Sequence, residues 1–340
     1  MTGLKNLYIE MDNFRTIVEI SSSPKKITYS TAMLFMGSCF SDTMGEKLES
    51  LKFQVCTNPF GVLYNPASIA GNLRILMENK PFTPDRLYFY NGQWISFSHY
   101  TGYSHPDREK CLSRINRSLA SSGSLLKKAG FLFLTFGTAW VYRFNETGVL
   151  AANCHKMPSA AFTRYLLDPG EIIRMYDDLL KELRDFNPGL TVVFTLSPVR
   201  HWKDGAVNNQ KSKSVLHYAI DKIAEQNPGV QYFPAYEIFM DELRDYRFYA
   251  RDLLHPSDAG VEYTGERFLE TYIAEDTLPL MKEVQSLMKA AGHRPVNRDD
   301  PSYRTFLQNT IVAMNRLSEK HPFLDFNPET KRMEEQLNEN

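Results

Sequence analysis

The chain has 340 residues, a formal net charge of −1, and 43% hydrophobic against 23% charged residues. That length buries a large core, and the near-neutral balance leaves no electrostatic footprint for a nucleic-acid or anionic-membrane partner. Cys39, Cys56, Cys111 and Cys154 are scattered with no CxxC spacing, the start "MTGLKNLYIEMDNFRT" lacks a signal-peptide core, and no apolar run reaches membrane-spanning length; these features are those expected of a reduced, cytoplasmic protein.

The first apolar run, Met33–Met36, ends in Gly37 and is followed by Ser38-Cys39 and the start of a helix near Ser41. A second run covers Phe53–Cys56. "RLYFYNGQWISF", 86–97, places Asn91-Gly92 between aromatic runs and predicts a β-hairpin inserted outside the main sheet. Helical spacing at Cys111/Leu112/Ile115/Leu119 precedes the strand Phe131–Phe136, and a weaker hairpin spans Val141–Ala151 around "NETG". A helix carried by Ile172, Tyr176, Leu179 and Leu183 then leads to the strand Thr191–Leu196. Another, carried by Val215, Leu216, Ala219 and Ile223, leads to a short strand at Val230–Phe233. Short apolar strands alternating with amphipathic helices predict an α/β domain over 1–275, a three-layer α/β/α sandwich with a parallel sheet. Beyond it, 276–340 reads as a helical extension with stripes at Leu280/Val284/Leu287 and Leu307/Ile311/Met314, packed on the domain or on a partner. Its last segment, "PETKRMEEQLNEN", is polar enough to fray.

GxSxG, GxGxxG, GxxxxGK and HExxH are all absent, and no histidine spacing suggests a metal. Ser38 instead falls at the carboxyl end of the first strand, where open parallel sheets hold ligands. Gly37 permits a sharp turn there, and the following helix directs its free N–H groups to the same spot. Ser38 is thus a candidate nucleophile, with helix capping as the plainer alternative. "YARDLLHPSDAG" supplies Asp252 three residues before His255, a spacing that lets the carboxylate hold one imidazole nitrogen while the other faces a serine.

"GSCF" together with "DLLHP" resembles the GSCFA family within the SGNH, or GDSL, hydrolase superfamily. The resemblance spans roughly 30–270 and implies a flavodoxin-like SGNH hydrolase fold. It makes Ser38 the nucleophile, His255 the general base and Asp252 its orienting acid, with Cys39 one residue beyond the reacting position; free cysteines are usually buried, so the Cys39 side chain is expected to turn away into the core. Gly61, in "TNPFGVLYNP", takes the place of the second-block glycine whose N–H meets the oxyanion, beside the Ser38 N–H. Gly137 matches the third block, but Ala139 stands where the superfamily has its oxyanion-hole asparagine. Thr138, Asn153 and His155 are candidates to fill that gap, and Asn58 is another. Arg200 and His201, in "FTLSPVRHWKDG", leave the sheet at its ligand-bearing edge, where they can bind a polar or anionic part of a substrate. His99 and His105 read as surface residues.

The implied activity is a serine esterase acting on O-acyl esters of small molecules or carbohydrates, with no cofactor and no metal. An O-acyltransferase with the same triad and a non-catalytic ligand-binding relative are the alternatives. The aromatic hairpin around Tyr88, Tyr90, Trp94 and Phe97 can wall the pocket, stack on a sugar or bury an interface.

Overall fold

A computed structural model describes residues 16–293, 295 and 300–338; the N-terminal stretch read for a targeting signal lies outside them. Five parallel strands, β1 (Met33–Gly37), β2 (Val55–Thr57), β5 (Phe131–Phe136), β9 (Thr191–Leu196) and β10 (Gln231–Tyr232), form one sheet in the order β10-β9-β5-β1-β2. Counted among the parallel strands alone this is the flavodoxin-like 2-1-3-4-5 order, whose switch point lies between β1 and β5. Gly37 pairs with Thr135 there, so the ends of both strands open into the same crevice.

Alternation along each strand sorts side chains to two faces, as the pleat requires. Met33, Phe35, Phe131, Phe133 and Val193 enter one core with α1 (Cys39–Ser50) and α7 (Asp258–Tyr272). Leu34, Met36, Leu132, Leu134 and Phe194 enter the other. That second face is covered by α2 (Pro66–Glu78), α3 (Arg108–Lys128), α4 (Pro169–Phe186) and α5 (Gly205–Gln226). The result is the three-layer sandwich. A single turn, α6 (Ala235–Glu237), runs on as a π-helix to Glu242 and carries the chain from β10 toward α7.

The hairpin of β3 (Tyr88–Tyr90) and β4 (Gln93–Ile95) stands outside the sheet. Its aromatic face packs inward. Tyr88 and Phe97 pack against Phe144 with ring centroids 5.9 and 4.8 Å away, on a three-stranded antiparallel sheet. That sheet joins β6 (Trp140–Phe144) to β7 (Leu150–Ala151), as the "NETG" hairpin predicts. It also adds β8 (Phe162–Leu166), a strand the alternation pattern did not reveal.

The extension folds as α8 (Leu278–Ala291), α9 (Pro301–Lys320) and α10 (Asn327–Asn338). Met281, Val284, Leu307, Met314 and Leu317 join the core around α1 and α7, so the stripes pack on the chain's own α/β body. The expectation of a frayed tail is corrected. Met333 of α10 is fully buried in that core, and Glu329 pairs with Lys52 at 2.8 Å. Few apolar residues suffice because the helix lies along a surface already formed.

Candidate active site

Gly37 sits at φ +144°, and a Cβ there would overlap the Thr135 carbonyl. Only glycine lets β1 turn at this point while lying against β5. Ser38 follows as the N-cap of α1, its Oγ accepting from the Phe40 N–H at 3.3 Å, so the capping role is real. Ser38 is 1% exposed and lines a cavity of about 330 Å³ at the switch point.

His255 lines the same cavity from the far end of the α/β body. Asp252 places it. One carboxylate oxygen accepts from the Leu254 and His255 amides at 2.9 and 3.0 Å, and the other takes His255 Nδ1 at 2.6 Å. Those amides and the imidazole hold the Asp252 carboxyl at about 2, below its ordinary 3.8. The loop is tied at its base by the Ala250 N–H to the His255 carbonyl and by Ser257, which caps α7. With Nδ1 engaged, Nε2 is the nitrogen left for the cavity. No hydrogen bond joins Ser38 to His255 among the described residues.

Thr138, Arg200 and His201 also line the cavity. Thr138 Oγ1 is engaged by the Ser212 hydroxyl and the Trp140 N–H. Arg200 reaches Met240 Sδ and meets no carboxylate among the described residues. His201 lies edge-on to Tyr64, and burial, with Lys213 nearby, pushes its imidazole down to about 4, so it is neutral at ordinary pH. The Arg164 guanidinium lies 4.1 Å over the Trp140 ring and pairs with Asp204 at the cavity's rim.

Other expected site residues stand elsewhere. Asn58 is buried and structural: its Oδ1 accepts from the Gly37 N–H and its amide donates to Asp42, bracing β1 against α1. The Gly61 N–H donates to the Asn58 carbonyl at 2.7 Å, and the Tyr100 ring covers the glycine. The Ser38 N–H likewise donates to the Thr135 carbonyl, and Gly137 gives its N–H to the Tyr64 carbonyl. Asn153 accepts from the His155 amide. His155 is buried behind β4, donating through Nε2 to the Ser96 carbonyl. Neither Asn153 nor His155 lines the cavity. His99 is not a surface residue but 1% exposed, bonded to Ser96 and held neutral by burial, with its pKa down to about 3.

Cys39 is corrected as well. The residue lines the cavity and is half-buried instead of packed in the core, yet burial and then the Asp42 carboxylate push its thiol pKa up. A raised pKa favours the unreactive thiol over the nucleophilic thiolate.

Sequence reasoning missed much of the cavity lining, Trp140, Tyr142 and Asn65 among it. Trp140 and Tyr142 face it because β6 runs beneath. Asn65 was legible only as the Asn-Pro that opens α2, an N-cap signal with no hint of a second use.

Residues 32–268 match the GSCFA family, and 284–339 match its second description, "GSCFA domain protein, C-terminal domain". No curated protein matches the sequence. Among solved structures, a candidate platelet activating factor from Streptococcus pneumonia is similar at 12% identity and a TM-score of 0.38, over 71% of this chain and 82% of that one. An acetyl xylan esterase (Est2A) from the rumen bacterium Butyrivibrio proteoclasticus is similar at 11% identity and a TM-score of 0.34, over 78% of this chain and 67% of that one.

Proposed function

We propose, from the premise that this chain belongs to the GSCFA family, that it is a serine-dependent hydrolase of O-acyl esters, allied to the SGNH hydrolases. The observation that carries this reading is the meeting of Ser38 and His255 in one cavity, with His255 Nδ1 held by Asp252 at 2.6 Å. Those are the residue types of a nucleophile, a base and an orienting acid, and the Asp252–His255 contact supports reading them as a triad.

In the proposed cycle, His255 Nε2 takes the Ser38 hydroxyl proton as Oγ attacks the ester carbonyl. The Asp252 carboxylate fixes the proton on Nδ1 and steadies the imidazolium. Collapse expels the alcohol, which takes the proton from Nε2, and leaves an acyl-enzyme. Water, deprotonated by the same nitrogen, then attacks the acyl carbon and releases the acid and Ser38.

Among the described residues, Arg164, Arg200 and Lys203 line the cavity against one carboxylate, Asp204, which Arg164 already pairs. The surplus of positive charge favours substrates whose alcohol or acyl part is polar or anionic, bound through Arg200 beside neutral His201.

A fluorophosphonate probe tests the assignment by intact mass. Ser38 Oγ would attack phosphorus and expel fluoride. One adduct is expected on wild type and on Cys39→Ala, and none on Ser38→Ala. An unlabelled wild type would favour a ligand-binding role without turnover, and an adduct that follows Cys39 would reassign the nucleophile.

A further inference from the structure

Attack by Ser38 turns the carbonyl oxygen into an oxyanion, which needs N–H donors already aimed at it. The loop N–H donors expected from the sequence are engaged. Ser38 N–H donates to the Thr135 carbonyl, Gly61 N–H to the Asn58 carbonyl, and Gly137 and Thr138 N–H both donate to the Tyr64 carbonyl. Position 139 could not supply one either. The Ala139 amide donates to Ser212 Oγ, and its side chain is fully buried in the apolar core under α2 and α4, outside the cavity. An asparagine there would bury its amide among leucines and phenylalanines rather than meet a substrate.

We propose that the Asn65 side-chain amide is the oxyanion donor of this site, supplied from the loop after β2 in place of the loop after β5. This rests on reading Ser38 as the nucleophile. Asn65 is 5% exposed and lines the cavity that Ser38 lines. Its orientation is set chemically, because Oδ1 accepts the Ser68 N–H at 2.8 Å as the N-cap of α2. An N–H donates only to the oxygen, so the amide cannot be reversed and Nδ2 is the free end. That nitrogen has no acceptor among the described residues. An amide nitrogen with no protein acceptor, on a residue that lines the cavity, is open to an acceptor brought by a ligand.

The segment that carries it is held on both sides of the switch point. The Leu63 N–H donates to the Gly37 carbonyl, one residue before the nucleophile, at 2.8 Å. The Tyr64 carbonyl takes the Gly137 and Thr138 amides at the end of β5. A donor fixed in this way needs no reorganisation when charge develops, which is the condition for strong electrostatic stabilisation.

The two jobs of Asn65 separate by substitution. Asn65→Asp keeps the capping oxygen, since Asp caps a helix as well as Asn does, but it turns the donor into a second acceptor. Asn65→Ser also keeps a capping oxygen and removes the amide, and Asn65→Ala removes both functions. The readouts are the rate of fluorophosphonate labelling of Ser38, turnover of an acyl ester, and thermal melting.

Asn65→Asp and Asn65→Ser are expected to melt near wild type, yet to lose about 10²–10³-fold in labelling rate and kcat with KM nearly unchanged. Asn65→Ala should show the same loss with a lower melting temperature. If either capping variant labels and turns over at the wild-type rate, Asn65 is a helix cap only and the assignment falls while the hydrolase reading stands. If wild type itself takes no label, both fall together.

Discussion

Asp252→Asn is expected to lower kcat and the fluorophosphonate labelling rate by about 10⁴-fold, the scale on which an Asp-to-Asn exchange acts in a serine triad. The cause lies in the loop's own hydrogen bonds. One Asp252 oxygen is held by two amides, those of Leu254 and His255. In the asparagine variant those amides keep the side-chain oxygen, so Nδ2 must face the imidazole. Nδ1 then has to accept, its proton moves to Nε2, and the nitrogen left for Ser38 can no longer take a proton. The side chain is half-exposed, so the variant should still fold, losing only the modest contribution of its solvent-screened carboxylate. Full activity in Asp252→Asn would show that Asp252 shapes the loop without orienting the base.

Acid does not reproduce the mutation under ordinary conditions. The Asp252 carboxyl titrates at about 2 against 3.8 for a free one. Its depressed value stabilises the folded state above 3.8, and that contribution is lost only as pH falls through about 2.

The second large effect concerns stability, and it runs against the usual direction of a core mutation. Lys213 of α5 is 1% exposed, with one oxygen partner among the described residues, the Ser197 carbonyl at 2.6 Å, and the Tyr236 ring at 5.9 Å. Burial pushes its pKa down from 10.5 to about 7, with nearby Arg200 adding to the shift and Cys39 opposing it. A difference of 10.5 − 7 = 3.5 units corresponds to a folding penalty of about 5 kcal/mol at low pH.

Lys213→Met removes that penalty and leaves the Ser197 carbonyl without its donor, which costs about 1–3 kcal/mol. A net gain of about 2–4 kcal/mol is expected at pH 6. The sign follows from the depressed pKa: the wild-type penalty is complete below pH 7 and fades as pH rises toward 10.5. Denaturant unfolding at pH 6 and pH 10 checks this, and the advantage of the variant should vanish or reverse at the higher pH. A variant less stable at pH 6 would mean that the buried ammonium contributes more than it costs. The lysine's use is positional, since it ties α5 to the start of the loop that delivers Arg200 and His201 to the cavity.

Much of this was legible along the chain. Met33–Met36, Phe131–Phe136 and Thr191–Leu196 are apolar on both faces, threonines apart, because both faces of their strands are covered, and that implies a parallel sheet between helix layers. Ser38 after the first strand, and Asp252 three residues before His255, are local facts of spacing that survive into three dimensions. Local rules also found the Asn91-Gly92 hairpin.

Tertiary structure decided what depends on partners distant in sequence. Whether the N–H of Ser38, Gly61 or Gly137 is free depends on where the Thr135, Asn58 and Tyr64 carbonyls lie, and no periodicity encodes that. Ala139 looked like a vacancy in the site because spacing from Gly137 was the only available ruler, whereas β6 turns its side chain into the core. His99 and α10 were misjudged because polarity in sequence says nothing of a neighbour that can satisfy it: Ser96 for the histidine, and Lys52 with the core around Met333 for the helix. The sequence by itself determined the layers, the strand-end serine and the Asp-His loop, because each follows from the residues' own alternation and spacing. The packed fold decided which hydrogen-bonding groups remain open to a substrate, because every buried N–H must find an acceptor and the choice of acceptor is made only when the strands and loops meet.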